Sequence, residues 1–182
     1  MSDVKLLPMS TNLSLAEGEV GVGTFDVTCP AIIQCFAIIG VRGSALIATH
    51  VTPGTNQQQM EDTFENLKGI GGDDVDNWYI LGPTASHFSY STIWKTTKAI
   101  KKTFKRMLSA KSASHSILDT SEELATMVPD ARYGDMMVKT SAIDIRATTF
   151  GIGTKFHYRF RVSPRTHLTD WHEFDLTKFR RI

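Results

Sequence analysis

Cys29 and His50 are of the types, and in the order, that could form a nucleophile and its base. Cys29 follows the polar Asp26-Val27-Thr28 and precedes Pro30, which opens an apolar run. A thiol at the junction of a loop and a buried strand is held rigidly and can still face solvent. Such a thiol, with an ordinary pKa near ~8.5, is only a few per cent ionised at neutral pH, so it needs a base to act as a nucleophile. His50 closes the strand-like segment Ser44-Ala45-Leu46-Ile47-Ala48-Thr49-His50-Val51. Counting outward from a turn at Gly40–Gly43, an antiparallel hairpin sets positions around 30–33 opposite positions around 50–53. That register brings Cys29 to His50. Cys35 lies among Phe and Ile in the middle of the apolar run and reads as core, the commonest place for a cysteine.

The remaining histidines are weaker candidates. His87 follows the Gly82-Pro83 break and reads as a loop residue able to line the same cleft. His115, in a Ser/Ala/Lys-rich stretch, reads as solvated. His157, His167 and His172 lie near Asp170 and Glu173, but no HxxxH or CxxC spacing joins them, so no metal site is expected. Lys95, Lys98, Lys101, Lys102, Lys105 and Arg106 fall opposite an apolar stripe between 91 and 108. They read first as a solvated helix face, and second as a landing surface for an acidic partner or an anionic membrane. His157, Arg159 and Arg161 share one face of a strand, near Arg165, Arg180 and Arg181. The interleaved Phe156, Tyr158 and Phe160 point to the opposite face, as core.

The elements that position these residues can be read from periodicity. The stretch from Ala31 to Ile39 predicts a buried strand, and Ser44–Val51 a second one paired with it as a hairpin. Thr55 and Gln58 have capping-box spacing ahead of a helix with Met60, Phe64 and Leu67 on one face, ending at Gly69. Trp78–Leu81 predicts a short strand, and 91–108 a second helix with Ile93, Thr97, Ile100, Phe104 and Leu108 inward. A short helix is expected from Ser121 to before Pro129. Strands are expected at 136–140, 142–149, 155–162 and 171–176, with a turn at 163–166. Residues 1–18 read as a loose arm or an edge strand. The class is α+β, a mixed sheet or β-sandwich core flanked by helices, in one domain.

The run Val20-Gly21-Val22-Gly23-Thr24-Phe25-Asp26-Val27-Thr28-Cys29, and later Gly43-Ser44-Ala45-Leu46-Ile47-Ala48-Thr49-His50, resembles a known pattern. It is similar to the chemoreceptor glutamine deamidases, the catalytic domains of cytotoxic necrotizing factor toxins and the Burkholderia lethal factor toxin. The likeness covers about residues 18–108, more by order of elements than by identity. In that family a cysteine just after a glycine-containing strand is the nucleophile. A histidine ending the next strand is its base, and a preceding threonine helps to orient the histidine. The resemblance implies Cys29 as nucleophile, His50 as base and Thr24 as orienter, with Asp26 and Thr28 also eligible for the third place. Thr28, Asp26 and His87 would then line the substrate side. Val27-Thr28 stands where the family has Gly or Ser-Gly, and Gly82-Pro83-Thr84 where it has Gly-Gly-Ala. The implied reaction hydrolyses a glutamine side chain of a partner protein and needs no metal or organic cofactor.

Composition sets the outer bounds. The chain has 182 residues, with 41% hydrophobic and 21% charged, the mix of an ordinary globular domain. Lys+Arg 20 against Asp+Glu 19 leaves a formal charge of +1, which argues against dedicated nucleic-acid binding. No apolar run reaches the ~18–20 residues of a membrane-spanning helix, and the opening residues lack a signal-peptide pattern. Two cysteines, placed about 20 Å apart if Cys29 and Cys35 share one strand at ~3.3 Å per residue, predict no disulfide. The expected setting is the cytoplasm, or delivery into a host cell by a signal-independent route, as for a bacterial effector or toxin. Two rival functions are a non-catalytic adaptor using the basic helix and a cysteine peptidase.

Overall fold

Consecutive apolar residues, as at 36–39, need a sheet with a core on each face, and the computed structural model has that arrangement. It describes residues 4–108, 113–130, 134–150, 153–163 and 167–182. In chain order the strands and helices are β1 (Lys5–Leu6), β2 (Ser10–Ser14), β3 (Glu19–Ile32), β4 (Phe36–Arg42), β5 (Ala45–Val51) and α1 (Gln57–Gly69). Then come β6 (Asn77–Gly82), α2 (Thr84–Tyr90), α3 (Thr97–Met107), β7 (Ser114–Asp119), α4 (Ser121–Ala125), β8 (Met127–Asp130) and β9 (Met136–Lys139). The chain closes with β10 (Ala142–Phe150), β11 (Gly153–Ser163), β12 (His167–Leu168), β13 (His172–Glu173) and β14 (Arg180–Arg181). Strand outweighs helix, 48% to 26%, and the expected α+β class holds.

One curled mixed sheet runs β12-β11-β10-β3-β5-β4-β6-β7-β14, with β1 and β2 beside β3 and β13 beside β11. The long β3 carries the curl. Its first part, Val20–Gly23, pairs antiparallel with β5, and its second part, Asp26–Ile32, pairs with β10. Alternation along β4 sends Phe36 and Ile38 to a core shared with α1 and α3, around Phe64, Trp78, Trp94 and Phe104. It sends Cys35, Ala37 and Ile39 to the opposite core, with Leu15, Cys29, Ile145 and Phe156.

Several expectations are corrected. The apolar run is not one strand: it breaks between Ile32 and Phe36. Ala31 takes the left-handed conformation, φ 56, and its N–H donates to the buried Asp144 carboxylate at 2.9 Å. The long-range partner bends the chain where periodicity alone sees continuity. Cys29 and Cys35 therefore lie on different segments, near enough for a charge on Cys35 to raise the Cys29 pKa. The β4–β5 hairpin turns two residues later than counted, pairing Arg42 with Ala45 and Ala37 with His50.

Helix α1 is capped by Asn56 and Gln59, one position beyond the expected box, because Asn56 accepts from the Gln59 N–H at 2.9 Å. The segment 84–90, read as loop, is α2, and α3 starts at Thr97 rather than 91. His115 is not solvated: it sits in β7, 9% exposed, against the edge of Phe104. Where a strand is expected at 171–176, only His172–Glu173 pairs with β11. Phe156 and Phe160 are core, as expected. Residues 5–6 and 10–14 of the N-terminal arm run parallel to β3. Arg165, with the rest of 164–166, and the side chain of His167 lie outside the described residues. Among the described residues, no helix is long and apolar enough to cross a membrane.

Candidate functional site: Glu17, Cys35 and His50

The register of β4 on β5 creates the site. Ala37 faces His50, so Cys35, two residues earlier, is its diagonal neighbour on the same face of the sheet. Glu17 comes from the turn between β2 and β3. One ligating atom from each of Glu17, Cys35 and His50 lies within 4.8 Å of the other two. The Cys35 thiol donates to Glu17 Oε1 at 3.5 Å.

The turn that carries Glu17 is clamped to His50 on both sides. Gly18 N–H donates to the His50 carbonyl at 2.9 Å, with Gly18 at φ 78, a conformation that favours glycine. His50 Nδ1 lies 3.2 Å from the Leu15 carbonyl oxygen. A carbonyl can only accept, so the neutral ring carries its proton on Nδ1 and presents a bare lone pair at Nε2. His50 is 1% exposed and its Nε2 has no hydrogen-bond partner.

Electrostatics at the site follow from burial. Burial first, then the Glu17 charge and hydrogen bond, push the Cys35 thiol up to about 12. Backbone N–H groups of Gln34 and Ile33 act in the opposite sense, favouring its thiolate. Burial lowers the His50 pKa, against the Leu15 hydrogen bond and the charges of Glu17 and Glu19. At rest the site is therefore a thiol beside a neutral imidazole and a carboxylate. A cleft of ≈ 230 Å³ reaches Glu17 and His50, with Gly18, Thr52, Thr55 and Gln59 among its other walls, and Cys35 lies behind them rather than in its lining.

His87 stands on the other side of Cys35. Its Nδ1 donates to the Gln34 carbonyl at 2.8 Å, and its ring stacks on Phe36 with centroids 3.8 Å apart. It is fully buried, and burial lowers its pKa to about 4. It is a wall of the segment carrying Cys35 rather than a surface-loop residue. Gly82 backs the same segment: a Cβ there would fall 2.3 Å from the Cys35 carbonyl oxygen.

The other expected site residues lie elsewhere. Cys29 is 0% exposed, pairs with Ile145 on β10, and has its thiol pKa raised chiefly by burial. It does not belong to the Glu17–Cys35–His50 group. The expected meeting of Cys29 with His50 fails because β3 runs antiparallel to β5 and away from His50, from Val20 opposite Thr49 to Gly23 opposite Leu46, and is paired with β10 where Cys29 is reached. Thr24 is exposed and follows Gly23, whose partner is Leu46, so it sits at the far end of β5 from His50. The Leu15 carbonyl does the orienting instead. Asp26 is buried in an ion pair with Arg146, and Thr28 is paired with Arg146 in the β3–β10 ladder. Glu17 escaped the sequence analysis because nothing local marks a turn glutamate. The apolar flanks of Cys35 hid it as core.

The basic residues of α3 face outward, while Ile100, Thr103 and Phe104 are buried. Lys98 and Lys101 line a groove with Arg180 and Arg181 of β14, a juxtaposition that the long stretch of chain between them conceals in the sequence. Comparison with protein-family models, with curated proteins and with solved structures finds no match.

Proposed function

We propose that the chain is a cysteine-dependent amidohydrolase that deamidates a glutamine side chain of a partner protein, with Cys35 rather than Cys29 as nucleophile. The observation that carries this reading is the convergence of Cys35 with His50 and Glu17, the two that line the cleft, with the Nε2 lone pair of His50 buried and unpartnered. The resemblance to the glutamine deamidases supports the substrate class. That resemblance implies Cys29 as nucleophile, and the proposal moves the role to Cys35 because Cys35 is the thiol grouped with His50. A cleft of ≈ 230 Å³ is smaller than the ~300–1,000 Å³ of most small-molecule sites and suits a single inserted side chain.

As the thiol attacks the carboxamide carbon, its proton passes to His50 Nε2, so no resting thiolate is required. Glu17 stabilises the imidazolium that forms, and the Ile33 and Gln34 N–H groups serve the developing oxyanion. Collapse of the tetrahedral intermediate expels ammonia, which takes the proton from His50. Water, deprotonated by His50, then opens the thioester, leaving glutamate and the free thiol. Incubation with a cell lysate, followed by peptide mapping, tests the reading. Wild type and Cys29→Ser should convert a glutamine to glutamate, a gain of about one dalton, while Cys35→Ser and His50→Ala should not. Conversion that survives Cys35→Ser refutes it, and backbone cleavage in place of the mass gain makes the chain a peptidase.

The basic groove favours a second reading, a surface that docks an acidic partner through Lys98, Lys101, Arg180 and Arg181. Charge reversal at Lys98, Lys101 and Lys105 would then abolish function while Cys35→Ser spares it.

A further inference from the structure

We infer that Glu17, Cys35 and His50 form a binding site for a borderline-soft divalent cation, zinc in particular, which on binding masks the thiol and the imidazole together. The inference shares its side chains with the hydrolase reading but does not rest on it. The donor set is carboxylate oxygen, thiol sulfur and imidazole nitrogen, a combination that suits zinc and disfavours the all-oxygen preferences of magnesium and calcium.

Geometry supports a shared ion. Two tetrahedral ligands at the usual ~2.3 Å zinc–sulfur and ~2.0–2.2 Å zinc–oxygen distances stand roughly 3.5 Å apart. The Cys35 sulfur and Glu17 oxygen are 3.5 Å apart, and His50 completes a triangle within 4.8 Å. Glu17 is exposed and can close the remaining distance by side-chain rotation. The independent observation is His50 itself: 1% exposed, with Nε2 unpartnered. Its other nitrogen already donates to a backbone carbonyl, the outer-shell bond that metal-ligating histidines make almost without exception. Binding exchanges the Cys35 S–H bond for a sulfur–metal bond and releases the proton to solvent. Three protein ligands leave a fourth position to water from the cleft.

Cobalt(II), the spectroscopic substitute for zinc, tests the site in the full chain kept free of other metals. One equivalent should give a thiolate-to-cobalt charge-transfer band with tetrahedral visible bands, and zinc should displace it stoichiometrically. Cys29→Ser should behave as wild type. Cys35→Ser should lose the charge-transfer band and weaken zinc binding by more than the roughly 10–100-fold that loss of an outer-shell partner costs. Glu17→Gln, an exposed substitution that should leave the fold intact by circular dichroism, should also weaken it. The inference is overturned if no charge-transfer band appears, if the band survives Cys35→Ser, or if it requires Cys29. Alkylation in the presence of a chelator separates the two readings. A reactive Cys35 with no metal affinity overturns the cation site alone, and metal affinity with an inert Cys35 supports it while weakening the hydrolase reading.

Discussion

His50 and Leu15 are joined by a hydrogen bond from the imidazole Nδ1–H to the backbone carbonyl, 3.2 Å across the β2–β3 turn. The bond assigns the tautomer, orients the ring, and leaves Nε2 as the basic nitrogen of an imidazole that lies close to Cys35. A backbone carbonyl thus fills the orienting role that the family resemblance implied for Thr24.

Glu17 adds to burial in keeping the Cys35 thiol protonated. After burial, its carboxylate is the largest influence holding the Cys35 thiol up near 12. Glu17→Gln removes that charge, so the Cys35 pKa falls and alkylation by iodoacetamide at neutral pH accelerates. Under the proposed mechanism, deamidation slows in the same variant, because the His50 imidazolium loses its counter-charge. Labelling rates by mass spectrometry, with Cys29 as the buried internal control, decide the matter; an unchanged Cys35 rate would contradict the assigned role of Glu17.

Gly82 is required by close packing. A Cβ there would stand 2.3 Å from the Cys35 carbonyl and 2.6 Å from Phe36 Cδ1. Gly82→Ala is therefore expected to destabilise the fold by about 1–3 kcal/mol, as overpacking does, and to displace the start of β4. Urea denaturation measures the first effect and Cys35 labelling the second. A fully stable variant with unchanged labelling would show that the backbone yields there at no cost.

Acid stability should carry a signature of His87. Its folded pKa of about 4 lies below the 6.5 of the free side chain, because burial penalises the charged ring. Above pH 6.5 both states are neutral and the group contributes no pH dependence. Between 6.5 and 4 the unfolded chain takes up a proton that the fold refuses, so stability falls across this window, by on the order of 3 kcal/mol. Below 4 both states are protonated and this contribution is flat. Chemical denaturation at stepped pH should show a shallower decline in His87→Gln than in wild type.

Asp144 holds the bend ahead of Cys35. Fully buried, it accepts from the Ala31 N–H at 2.9 Å, from Arg159 Nε at 2.9 Å and from Arg161. Asp144→Ala leaves two half-buried guanidiniums and a strained backbone unpartnered, and should cost about 3–5 kcal/mol. Asp144→Asn keeps acceptor capacity and should cost less. Equal losses in the two variants, measured by denaturant midpoint, would remove the charge from the explanation.

Periodicity and composition alone determined the α+β class, the core faces of α1, α3 and β11, and the placement of His50 at the end of a strand. These follow from local alternation, which records which face each residue must bury. The partner of His50 could not be read this way. It depends on where the chain from Ala31 to Ile39 breaks, and that break is held by Asp144, more than a hundred residues away. The bend takes Cys29 onto the β10 side of the sheet, while the turn after Arg42 sets the register that places Cys35 diagonal to His50. Glu17 and Leu15 arrive through a turn whose only local sign is a glycine. Sequence patterns record burial, whereas the meeting of three side chains from separate segments is a product of long-range pairing, which only the tertiary structure decides.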